Sequence, residues 1–111
     1  MNVESVLKQM LSAGQAAFGE GWDVIEVFAP AEFRKIAVQL VDIADNVAKF
    51  ALDPVQGYSP ETGKLLLQMQ RNATESVLVA LTELTLLTVQ NALNAILQVL
   101  RNAFVELIGL L

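Results

Sequence analysis

Residues 77 to 89 read VLVALTELTLLTV, and on a helical wheel their apolar side chains point in every direction. A helix that is apolar all round needs cover on every side, so the reading of this stretch decides the fold. Before it, Leu65, Leu66, Met69, Ala73, Val77, Ala80, Leu84 and Leu87 form one stripe, opposite Lys64, Gln68, Arg71, Asn72 and Glu75. After it, Leu86, Val89, Leu93, Ile96, Leu100, Phe104, Leu107 and Leu111 continue the formerly polar side, and Glu83, Asn91, Asn94, Gln98, Arg101 and Asn102 take the other. Supercoiling moves a stripe by only about 20° per heptad, too slowly for this reversal.

Two folds follow. No glycine or proline lies between Gly63 and Gly109, so the simplest reading is one helix over about residues 60 to 108. At 1.5 Å per residue it runs about 70 Å, twice the roughly 34 Å diameter of a compact chain this long. Its first half then packs on earlier helices of its own chain and its second half on another subunit. The expected fold is therefore an all-α helical bundle with a long C-terminal helix, completed by oligomerisation. The alternative is a turn near Thr82, Thr85 or Thr88, with threonine caps in place of glycine or proline, giving a monomeric four-helix bundle.

Working outward, Ser59-Pro60-Glu61 starts this last segment with a side-chain cap, a proline in the first turn and an acid at the positive dipole end. Upstream, Asp53-Pro54 ends a helix expected over residues 31 to 52, whose apolar half runs from Phe33 and Ile36 to Phe50. A first amphipathic helix over residues 3 to 18 carries Val3, Val6, Leu7, Met10, Gly14, Ala17 and Phe18 on one face and stops at Gly19-Glu20-Gly21. The short segment 22 to 28 is ambiguous, with helix preferred because no strand exists to pair with it. The whole, residues 1 to 111, reads as a single helical domain.

Composition excludes more chemistry than it offers. The chain has 111 residues, 54% of them hydrophobic, no cysteine, no histidine and a net charge of −5. Disulfides, thiolate chemistry and imidazole catalysis or metal ligation are absent, and no cofactor is expected. Seven scattered basic residues against twelve acidic ones argue against a nucleic-acid partner. Asp23/Glu26 and Asp42/Asp45 are carboxylate pairs at helical spacing, read as solvated faces because a bundle metal site wants inward Glu-x-x-His motifs. The chain is read as non-enzymatic.

Residues 81 to 100, LTELTLLTVQNALNAILQVL, have one charge over twenty positions and so require a membrane test. Thr82, Glu83, Thr85, Thr88, Gln90, Asn91, Asn94 and Gln98 are polar, and an acid costs about 2.5 to 3.5 kcal/mol at the centre of a span. No basic cluster flanks the segment, so membrane contact is not expected, and the N-terminus, interrupted by Glu4 and Lys8, does not read as a signal peptide. The expected location is cytoplasmic. The expected function is a structural or assembly module, a homo-oligomer that self-associates through Leu86, Val89, Leu93, Ile96, Leu100, Phe104 and Leu107. Asn91, Asn94, Gln98 and Asn102 form its expected polar seam, since neutral amides can satisfy one another across helices. The alternative function is a bundle that encloses an apolar or lipid-like small ligand.

Overall fold

The computed structural model describes all 111 residues and is helical throughout. Four long helices, α1 (Val3–Phe18), α3 (Ala29–Leu52), α4 (Pro60–Thr82) and α5 (Leu86–Ala103), are joined by the one-turn helix α2 (Trp22–Ile25) and short loops. They pack in the spatial order α1, α3, α4, α5, and α5 closes the ring mainly against α1. The molecule measures 45 × 22 × 19 Å.

The expected continuous helix over residues 60 to 108 is therefore corrected: the chain breaks at Glu83-Leu84-Thr85 and reverses. Three threonines do the work that glycine and proline do elsewhere. The Thr82 hydroxyl donates back to the Leu78 carbonyl at 2.6 Å and accepts the Leu84 N–H at 3.3 Å. Glu83 takes a left-handed conformation at φ 62° as the helix cap. Thr85 then caps α5, its hydroxyl accepting the Thr88 N–H at 3.1 Å and lying 2.8 Å from the Thr88 hydroxyl. Leu84 and Val89 hold the two positions of a hydrophobic staple around that cap.

The energetic comparison favours the break. A non-glycine residue in the left-handed region costs about 1 to 2 kcal/mol. Against that, Val89, Leu93, Ile96 and Leu100 become completely buried, each worth about 1.5 to 3 kcal/mol. The reversal lets the apolar stripe of α5 be buried within one chain, and the second-subunit role expected for α5 is taken by α1. The expected helix also ends early. Phe104 is extended, and a 3-10 turn over Val105–Leu107 brings Leu107 and Leu110 back into the core.

Elsewhere the local signals form the elements that the spacing predicts. Asn2 caps α1 by accepting the Ser5 N–H at 2.8 Å, and Ser59 caps α4 by accepting the Thr62 N–H at 3.3 Å. Helix α3 begins at Ala29, with Pro30 in its first turn. At one end of the bundle Phe18, Trp22 and Phe33 cluster with ring centroids 6.3 to 6.5 Å apart. Trp22 lies directly on α1 at Gly14, where a β-carbon would fall 2.5 Å from its ring. On the surface, Arg34 of α3 donates to both carboxylate oxygens of Glu4 on α1, at 2.6 and 3.3 Å. That hydrogen bond and charge hold the Glu4 carboxyl below its usual value.

The loop between α3 and α4 is clamped at Gly57. Its φ of 61° suits glycine, and a β-carbon there would collide with the Asn46 carbonyl. The neighbouring Tyr58 ring packs on the core and its hydroxyl is sealed from solvent. Burial, then the Asp42 charge, raise the phenol above its ordinary value. Asn46 lies close enough to act against that rise, but its amide is turned to donate to the Asp42 carbonyl at 2.9 Å, and the hydroxyl has no hydrogen-bond partner of good geometry. A raised phenol pKa means stability is intact below the unfolded value of about 10 and falls as pH rises through the folded value. Tyr58→Phe is expected to match or exceed the parent by about 1 kcal/mol in urea denaturation at neutral pH. It should also lose less stability than the parent above pH ~10.

Candidate functional site

Glutamate 75 is the most unusual polar residue of the bundle, only 5% exposed on the inner side of α4. Its carboxylate accepts the Arg71 Nε–H at 3.0 Å, one helical turn away, and the Gln90 amide of α5 at 3.5 Å. Arg71 reaches on through Nη2 to the Asn94 side-chain oxygen of α5. The four residues form a polar bridge between α4 and α5, which otherwise touch less than the other adjacent pairs. Thr74, also buried, accepts from Gln70 at 3.3 Å.

Beside this bridge a groove of about 510 Å³ opens between α4, α5 and the C-terminal turn. Leu67, Leu97, Leu110 and Leu111 supply its apolar surface. Lys64 and Arg71 stand two helical turns apart along one flank, and the amides Gln68, Asn94 and Gln98 complete the lining. No acidic side chain lines it. Lys64 makes no ion pair, and the Arg71 Nη1 has no protein acceptor. On a chain of net charge −5 this is a locally cationic, partly apolar recess.

The sequence-predicted contact residues lie elsewhere than expected. Val89, Leu93, Ile96, Leu100 and Leu107 are fully buried in their own chain's core, and Phe104 packs against it. Leu86 remains half exposed beside the turn. In their folded positions the core residues offer no surface to a second copy. The amides expected as a seam separate: Asn94 meets Arg71 across α4 and α5, Gln98 bonds Asn102 within α5 at 3.2 Å, and Asn91 faces solvent. The carboxylates Asp23, Glu26, Asp42 and Asp45 are all exposed, and no group of three metal-binding side chains exists.

The expected inward stripe of α4 is likewise corrected. Leu65 and Met69 are 62% and 60% exposed, and Ala73 and Ala80 are exposed with them. The core takes Gly63, Leu67, Thr74, Glu75 and Leu78 instead. The helix is rotated because Gly63 permits close approach to Ile43 of α3, with a would-be β-carbon 2.7 Å from its Cγ2. The Glu75 bridge pulls its other flank towards α5. Sequence reasoning put Arg71 and Glu75 on a solvated face. Their i, i+4 spacing was visible, but their burial was not.

No helix is long and apolar enough to cross a membrane. No protein-family model matches the chain, and no curated protein or solved structure matches it either. The residues themselves carry the functional reading.

Proposed function

We propose that the chain is a non-enzymatic assembly module that pairs with a second copy through the outer face of α4. The observation that supports this is the uncovered row Leu65, Met69, Ala73, Ser76 and Ala80, large at its N-terminal end, small at its C-terminal end and free of charge. A two-fold axis near residues 72 and 73 sets two such helices antiparallel, with Leu65 of one copy against Ala80 of the other and Met69 against Ser76. Large then meets small at both ends of the contact and the small Ala73 lies at its centre, which lets the helices approach closely. The adjoining α3 contributes exposed Val38, and a shallow recess of about 290 Å³ beside Met69, lined also by Gln39, Leu66 and Gln70, adds further surface. This reading keeps the self-association expected of the sequence but moves it from the inner face of α5 to the outer face of α4.

Analytical ultracentrifugation across the micromolar range tests it. The parent is expected to sediment as a concentration-dependent dimer, and Met69→Glu as a monomer with the parent's helical circular dichroism. Because Met69 is exposed, the substitution should change folding stability by less than about 0.5 kcal/mol. A parent that stays monomeric at the highest concentration reached, or a Met69→Glu dimer as tight as the parent's, would overturn the proposal.

A further inference from the structure

The recess between α4, α5 and the C-terminal turn has features that self-association leaves unused. At 100° per residue, Lys64 and Arg71 project about 100 to 160° away from Leu65 and Met69 around α4, so pairing through the outer face leaves the recess open. We infer that it binds a small amphipathic anion: a carboxylate whose headgroup meets the Lys64 ammonium and Arg71 Nη1, and whose hydrocarbon chain lies over Leu67, Leu97 and Leu110.

Charge complementarity selects this occupant. Both cations lie in a recess lined by no acidic side chain, on a protein with nearly two acids for every base, so the side-chain charge there opposes the overall one. Glu75 is the only carboxylate paired with Arg71, and it is engaged through Nε. That contact, with Asn94 holding Nη2, fixes the guanidinium while leaving Nη1 free, an arrangement suited to charge-assisted hydrogen bonding without reorganisation. The volume of about 510 Å³ falls within the range of small-molecule sites, and the lining combines an apolar majority of surface with a few convergent polar groups. The amides Gln68 and Gln98 stand on opposite walls and accept or donate as the headgroup requires. An uncharged chain would forgo both cations, and a dianion would meet only these two on a strongly acidic molecule.

Nuclear magnetic resonance titration with decanoate, decanol as the uncharged counterpart, reads the proposal directly. Decanoate is expected to give saturable shifts in the side-chain amides of Gln68, Asn94 and Gln98 and in the methyls of Leu67, Leu97 and Leu110. Lys64→Glu, an exposed substitution whose fold is checked by its unchanged amide spectrum, is expected to weaken decanoate about tenfold or more. Its affinity for decanol should not change. Equal affinity of the parent for decanoate and decanol, shifts confined to the Met69 face, or no saturable shift with decanoate would each overturn it. All these outcomes are independent of dimerisation, which is followed separately with Met69→Glu.

Discussion

Leu93→Glu is expected to unfold the protein rather than merely separate subunits. Leu93 is completely buried within the chain, beside Val89, Ile96 and Leu100 in the single core that joins all four long helices. Truncation alone, as in Leu100→Ala, should cost about 2 to 5 kcal/mol through lost transfer energy and the cavity left behind. A carboxylate at residue 93 adds the burial of a charge with no basic side chain in that core, a further penalty of several kcal/mol. Natural domains of this size have about 5 to 15 kcal/mol in all, so the substitution removes most or all of the folding free energy. Circular dichroism should show loss of helix at concentrations far above any dissociation constant for self-association. A folded Leu93→Glu monomer with the parent's helicity would place that side chain at an interface.

Glu75→Ala should be the most damaging single change among the polar residues. It leaves Arg71, itself largely buried, without its anion and removes the acceptor for Gln90. Breaking a buried pair from one side costs about 3 to 5 kcal/mol, and the remaining exposure of Arg71 puts the effect near the lower figure. A fall in melting temperature of roughly 10 °C or more follows for a chain of this length. Replacing both partners, Arg71→Met with Glu75→Leu, should restore most of the loss, because the desolvation of two charges disappears together with their attraction. The double variant should nevertheless bind decanoate more weakly than the parent, since it removes one of the two cations of the recess. If Glu75→Ala melted within a degree or two of the parent, the bridge would not join α4 to α5 in solution.

The parts of this fold that were legible in the sequence are those whose local chemistry is strong. The cap at Ser59, the stop at Asp53-Pro54 and the amphipathic spacing of α1 and α3 all act within a few residues. The change of apolar face near residues 77 to 89 was also visible, and it set the two halves of the last segment against different neighbours, although only the second stripe is the face that is buried. The identity of those neighbours was not visible. Threonine is an ordinary helix resident, and its use as a double cap at Thr82 and Thr85 becomes favourable only when α1 lies waiting for Val89, Leu93 and Leu100. That is a tertiary term, absent from any window of the chain.

The rotation of α4 was hidden for a related reason. A hydrophobic wheel pointed Leu65 and Met69 inward, but the small Gly63 and the charged Arg71–Glu75 pair determine which side approaches the neighbours. Close approach and pair burial depend on what faces them, and neither has a hydrophobicity signature. The recess was illegible too, because its lining comes from residues more than twenty positions apart that meet only after the chain reverses.

The central claim, that the chain turns back between α4 and α5, is open to a distance measurement that the absence of native cysteine makes simple. Spin labels on cysteines introduced at the exposed residues Gln68 and Gln98, in protein diluted with excess unlabelled chain, report only the distance within one molecule. Neighbouring helices lie about 8 to 10 Å apart, so strong dipolar broadening from labels on facing walls of one recess is the expected result. An uninterrupted helix would hold the same positions about 45 Å apart at 1.5 Å per residue, and a distribution centred there would contradict the account.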